Sequence, residues 1–70
     1  MSTGIIGRLI RDHGFGFIKV ADGIDLFFHR SEVQDISFDS LKEGQRVDFK
    51  ASLGSKGLKA TNVKLLKNNG

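Results

Sequence analysis

Glycine sets the first limit on what this chain can become. It recurs at positions 4, 7, 14, 16, 23, 44, 54, 57 and 70, and each glycine inside a helix costs about 1 kcal/mol relative to alanine. No uninterrupted helical face develops outside residues 24–43. Five short runs with β character fill the chain instead, at residues 5–10, 15–20, 24–29, 46–53 and 58–66. The fourth is the clearest. Val47, Phe49, Ala51 and Leu53 alternate with Arg46, Asp48, Lys50 and Ser52, the two-residue period of a strand with one dry face.

The joints between runs carry turn chemistry. Asp12-His13-Gly14, Asp22-Gly23 and Gly54-Ser55-Lys56-Gly57 supply residues that tolerate the positive φ angles of tight hairpins. The stretch 30–44 is longer, and Ser31-Glu32-Val33-Gln34 within it suits one short helical or 3₁₀ turn. Short, evenly spaced strands of this kind predict a small antiparallel barrel or sandwich. Closure into a barrel also removes the sheet edges that would pair with neighbours. One domain is expected over residues 1–70, with its core at about 4–66 and Lys67-Asn68-Asn69-Gly70 fraying.

Seventy residues leave room for one small core. Leu, Ile, Val and Phe make up about a third of the chain, above the roughly 20% below which disorder is expected. Cysteine and proline are absent. That excludes a disulfide framework, a thiolate zinc site and Pro-rich linker behaviour. No apolar run approaches the roughly 18 residues of a membrane helix, and Met1-Ser2-Thr3-Gly4 does not read as a signal peptide. A reduced, soluble, cytoplasmic domain is the expectation. The net charge is +3, unevenly spread: residues 1–35 sum to −1 and residues 36–70 to +4. After Asp48 there are only Lys50, Lys56, Lys59, Lys64 and Lys67. Such a basic end can meet phosphates, although for charge alone a solvated face is the favoured reading.

The six Phe residues, with no Trp or Tyr beside them, are more informative than the charge. Strand alternation puts Phe15 and Phe17 on one face and Gly16 and Ile18 on the other. The same rule groups Phe27 with His29, opposite Leu26 and Phe28. If these two runs are hairpin neighbours with Ile18, Leu26 and Phe28 inward, then Phe15, Phe17, Phe27 and His29 share an outward face. Exposed rings in a cluster mark a binding surface. The inverted assignment, with Phe15 and Phe17 in the core, would leave Ile18, Leu26 and Phe28 unburied, and Gly16 weighs against it. Arg8, Arg11, Lys19, Arg30, Lys56 and Lys59 flank these rings. Aromatic faces with a cationic rim suit single-stranded nucleic acid: bases stack on rings for about 1–3 kcal/mol each while cations follow the phosphates.

At these residues the chain resembles the bacterial cold-shock proteins. His13-Gly14-Phe15-Gly16-Phe17-Ile18 is similar to their first ribonucleoprotein motif, usually Lys-Gly-Phe-Gly-Phe-Ile. Leu26-Phe27-Phe28-His29 is similar to the second, usually Val-Phe-Val-His. The likeness continues through Ser31, Phe38, Leu41, Gly44-Gln45-Arg46-Val47, Lys56-Gly57, Ala60 and Asn62-Val63, covering about residues 4–66 without insertions. The resemblance implies an all-β fold, a five-stranded antiparallel OB-type barrel. It implies sequence-tolerant binding of single-stranded RNA and DNA, with RNA-chaperone or transcription-antitermination roles. Carried over by position, Phe15, Phe17, Phe27, His29 and Phe38 would stack on bases, and Lys56 would contact a phosphate or base. Arg8, Lys19, Arg30 and Lys59 complete the expected nucleic-acid-binding set.

The departures from the pattern lie at the site. Arg8 stands where the family usually has an exposed Trp, and Arg30 where it often has Phe. Gly7 and His13 each replace a common Lys, and Leu58 replaces a Pro. Two rings are exchanged for two guanidinium groups, whose planes can stack on a base and also reach a phosphate.

Other chemistry finds little support. His13 and His29 are the only histidines, without carboxylates at ligand spacing, so no metal or cofactor is expected. Ser31 near His29 lacks a nucleophile elbow and a cleft, so no enzyme activity is expected. Gly14-Phe15-Gly16 opens no long helix and is not a dinucleotide fingerprint. An RRM-like fold needs two helices that this chain lacks. The competing expectation is a protein-binding module that uses the Phe patch as its hot spot. A monomer binding single-stranded RNA and DNA, away from membranes, is the favoured one.

Overall fold

The computed structural model describes residues 2–54 and 57–66. Its strands are β1 (Ser2–Ile10), β2 (Phe15–Lys19), β3 (Asp25–His29), β4 (Val33–Gln34), β5 (Arg46–Gly54) and β6 (Gly57–Leu65). Single 3₁₀ turns cover Arg11–His13, Ala21–Gly23, Arg30–Glu32 and Phe38–Ser40. The hydrogen-bonded order is β3-β2-β1-β5-β6-β4, and β3 also meets β6. That last pairing, parallel at Phe27↔Lys59, closes the five long strands into a barrel.

The short β4 was not expected from the sequence. The turn anticipated at residues 31–34 is shifted to Arg30–Glu32, and Val33 and Gln34 then run parallel to β6 opposite Val63 and Lys64. This piece prolongs the third strand along the same partner after a break. The anticipated tail at residues 67–70 and the Ser55-Lys56 part of the last turn lie outside the described residues.

Two bulges decide which side chains face inward. In β1, Ile6 opposes Ile18 but Arg8 opposes Phe17, so Gly7 is an extra residue. Without it, two-residue alternation would aim Arg8 at the core beside Ile6. In β6, Lys64 opposes Asp48 and Thr61 opposes Lys50. The extra residue there accompanies Asn62, whose φ is +50°. Asn tolerates this left-handed conformation better than most residues. Its side-chain Oδ1 accepts a 2.7 Å hydrogen bond from Gln34 Nε2, tying β4 to the bulge.

The core holds Ile6, Ile18, Leu26, Phe28, Phe38, Leu41, Val47, Phe49, Ala60 and Val63, and no polar or charged residue is buried among the described residues. Val47 and Phe49 lie on the dry face as the alternation in β5 requires. Ala51 and Leu53 do not: Ala51 is exposed and Leu53 is 79% exposed. The burial alternation ends after Phe49, where the β5–β6 pair outruns the barrel. Ala51 and Leu58 line an open depression at its end with Ile24, Leu26 and Phe49.

Candidate nucleic-acid interface

The register of β2 against β3 assembles the aromatic face. Phe17 opposes Phe27, and Phe15 opposes His29, while Ile18 opposes Leu26 and Gly16 opposes Phe28. Residues directly opposite share a face. Ile18, Leu26 and Phe28 are buried, Phe15 and Phe17 are half-buried, and Phe27 and His29 are exposed. The three outward Phe rings form one cluster. Their centroids lie 5.4 Å apart for Phe15–Phe27, 5.9 Å for Phe15–Phe17 and 6.1 Å for Phe17–Phe27. Both contacts of Phe17 are edge-on. The two edge-on contacts are the T-shaped arrangement that ring quadrupoles favour, Phe15 and Phe27 are tilted at 37°, and together these contacts hold the faces in place before any ligand arrives.

His13 joins this cluster, its ring 6.0 Å from Phe15 and tilted. In the sequence His13 stands out only as a replacement for a common Lys and as a histidine without carboxylates at ligand spacing. Its place in the turn after β1, two residues before Phe15, is the signal that could have pointed to it. His29 is held by its neighbour: Nδ1 accepts from the Ser31 backbone N–H at 3.1 Å, with Ser31 Oγ at 2.9 Å. With Nδ1 accepting, the proton of the neutral ring sits on Nε2, a donor at the exposed edge.

The cations reach this face by different routes. Arg8 arrives through the Gly7 bulge and lines a depression of about 330 Å³ with Gly7, Phe17, Lys19 and Asp25. Arg30 lies across Gly14. That glycine has φ +71°, a left-handed conformation that calls for glycine; a Cβ there would sit 2.8 Å from Arg30 Cδ, a contact the flexible arginine side chain can relieve by shifting. The Arg30 backbone N–H also donates to Gly14 O at 2.8 Å. Lys59 stands opposite Phe27 across the closing pair and is exposed. Lys56 lies outside the described residues.

Phe38 is the residue the structure relocates. The resemblance implies a base-stacking role for it, but Phe38 is 5% exposed and belongs to the core, its centroid 6.0 Å from buried Phe28. The backbone explains the inward turn. Ser37 Oγ accepts from Asp39 N–H, and Phe38–Ser40 closes a 3₁₀ turn ending at Leu41 N–H→Phe38 O. Arg11 then donates from Nη1 to Asp39 O at 2.9 Å and from Nη2 to Leu41 O at 2.6 Å. The flanking cation Arg11 is therefore occupied in holding the loop that plugs the barrel with Phe38 and Leu41.

Known proteins with the same features decide the family. Residues 2–66 match the model of the 'Cold-shock' DNA-binding domain. The chain belongs to that family. Its members are non-enzymatic nucleic-acid-binding proteins. The cold shock-like protein CspA of Bordetella pertussis is 45% identical over 67 residues, covering 94% of this chain and all of the relative. Cold shock protein CapB of Pseudomonas syringae is 44% identical, covering 91% and 93% of the two chains. Cold shock protein CspC of Bacillus subtilis is 41% identical, covering 90% and 96%. Among solved structures, drosophila Unr CSD456 superposes with a TM-score of 0.79 at 32% identity, covering 97% of this chain and 27% of that one. Within this cold-shock domain no group of three or more His, Cys, Asp or Glu side chains is gathered to hold a metal, among the described residues. No helix among them is long and apolar enough to cross a membrane.

Proposed function

We propose that this cold-shock domain binds single-stranded RNA and DNA with little sequence preference, by stacking bases on Phe15, Phe17, Phe27 and His29. The observation that carries this reading is the cluster of three outward rings within 5.4–6.1 Å of one another on adjacent strands. Every base has a π-face, so a ring platform selects for unpaired bases rather than for sequence. Arg8, Lys19, Arg30, Lys56 and Lys59 supply the phosphate contacts. A protein that binds the unpaired strand and not the duplex shifts the equilibrium toward the open strand by mass action. That is the physical basis of an RNA chaperone or antiterminator acting as a cytoplasmic monomer, the cellular role proposed here.

The test is fluorescence anisotropy of a labelled U-rich single-stranded heptamer at two salt concentrations, with a duplex control. The label belongs on the oligonucleotide because the chain has no Trp or Tyr. Preference for the single strand, weakening with salt at a slope of about −0.7 per phosphate contacted, is the expected result. No binding, or equal binding to duplex, overturns the reading and leaves the Phe patch to be tried as a protein-binding surface.

A further inference from the structure

Beyond the rings, a second row of side chains crosses the barrel. Ile5 on β1 stands directly opposite Lys19 on β2 and also opposite Arg46 on β5. Lys19, Ile5 and Arg46 therefore point outward side by side across three adjacent strands. At about 4.8 Å per strand, Arg46 stands about 10 Å from Lys19. These three line a depression of about 480 Å³ that also involves Leu66, whose backbone N–H donates to Arg46 O at 3.0 Å. Ile5 is 44% exposed and Leu66 38%, an apolar floor bordered by two cations.

This depression and the one beside Phe17 share Lys19. The path from the ring cluster past Arg8 thus continues over Lys19 without leaving the surface. The charge pattern favours an anion at the far end. Asp25 opposes Lys19 at the β3 end of the row, and Asp48 opposes Lys64 one row along β5. Arg46 has no acid opposite it in its own row, where it faces Ile5.

We infer that the Lys19–Ile5–Arg46 row is an extension subsite that takes about one or two further nucleotides of the strand held by the rings, within the roughly 4–16 nucleotides an OB-type fold can accommodate. The inference rests on the single-strand reading above. Ile5 and Leu66 meet the face of a base or sugar. Arg46 grips a phosphate, for which the planar guanidinium fork offers paired donors. Lys19 serves both segments as the joint between them.

Anisotropy with labelled oligouridylates of six and ten nucleotides separates the possibilities. The expected result is that Arg46→Ala leaves the six-mer affinity unchanged and weakens the ten-mer severalfold. It also lowers the salt slope of the ten-mer by about 0.7, the value for one lost single-strand phosphate contact. Ile5→Ser weakens the ten-mer alone with no change in slope, and Arg46→Lys restores the slope. Thermal midpoints of all variants establish that each is folded. Equal binding of the ten-mer by wild type and Arg46→Ala, with the six-mer still bound, overturns the extension and leaves the ring platform standing. Failure of both oligonucleotides to bind the wild type overturns the platform and the extension with it.

Discussion

Gly16 lies directly under the ring of Phe28. A Cβ at position 16 would stand 2.9 Å from Phe28 Cε1 and 2.7 Å from the carbonyl oxygen of Arg8. The first neighbour is a fully buried core ring, and the second is backbone in the paired β1 strand. Neither can move aside freely. The glycine between Phe15 and Phe17 therefore lets the platform strand sit close against the core and against β1. Gly16→Ala is expected to destabilise by about 1–3 kcal/mol, as overpacking of a filled core does. Denaturant unfolding checks this, and an unchanged midpoint would show that the strand has room to spare.

The outward and inward rings should divide cleanly by phenotype. Phe28 and Phe49 are at most 2% exposed, and their truncation to Ala should cost about 3–5 kcal/mol. A domain this small, without disulfide or metal, has only a few kcal/mol in total, so these variants will be largely unfolded at room temperature. Phe15→Ala, Phe17→Ala and Phe27→Ala should weaken oligonucleotide binding by about 1–3 kcal/mol each and lower the midpoint less. Parallel unfolding and binding curves on the five variants decide the matter, and the reverse ranking would invert the face assignment.

The aromatic face was legible from residues 15–18 and 26–29 because a two-residue period needs no knowledge of partners. What it could not reveal was position in three dimensions. The outward placement of Arg8 depends on an extra residue at Gly7, and a bulge breaks the periodicity on which a strand reading rests. The exposure of Leu53 depends on where the barrel ends, which no alternation within β5 encodes. Phe38 depends on Arg11, 27 residues away in sequence, fastening the loop from outside. His13 lay in a turn, where its approach to Phe15 follows from the 3₁₀ geometry of Arg11–His13 and not from strand alternation.

Phe38 yields a prediction that separates its place in the structure from the role implied by resemblance. With its ring against Phe28 and 5% exposure, Phe38→Ala should destabilise by about 3 kcal/mol, at the lower end for a buried Phe because the loop can partly collapse. Arg11→Ala should produce a milder form of the same loss, since it frees the Asp39 and Leu41 carbonyls that Arg11 holds. Binding per folded molecule should be little changed in both. A Phe38→Ala variant of wild-type stability that bound weakly would instead mean that the ring swings outward onto a base.

Arg8 and Arg30 carry the sharpest prediction, because they occupy positions where a cold-shock domain more often presents a ring. Arg8 stands opposite Phe17, and Arg30 lies over Gly14, so both border the ring cluster from different sides. A guanidinium plane stacks on a base and reaches a phosphate, whereas an indole or phenyl ring does only the first. Exchange of rings for guanidinium groups should therefore make binding more dependent on salt. The Arg8→Ala/Arg30→Ala double variant should lose affinity for a U-rich heptamer at low salt. Its log–log salt dependence should be shallower by about 1.4, from two phosphate contacts at about 0.7 each for a single strand. The Arg8→Trp/Arg30→Phe variant should show the same shallower slope while keeping or gaining affinity at high salt, where stacking survives screening. Anisotropy titrations at three or more salt concentrations read both quantities. If the double Ala variant kept the wild-type affinity and slope, the two arginines would be surface charges with no part in binding.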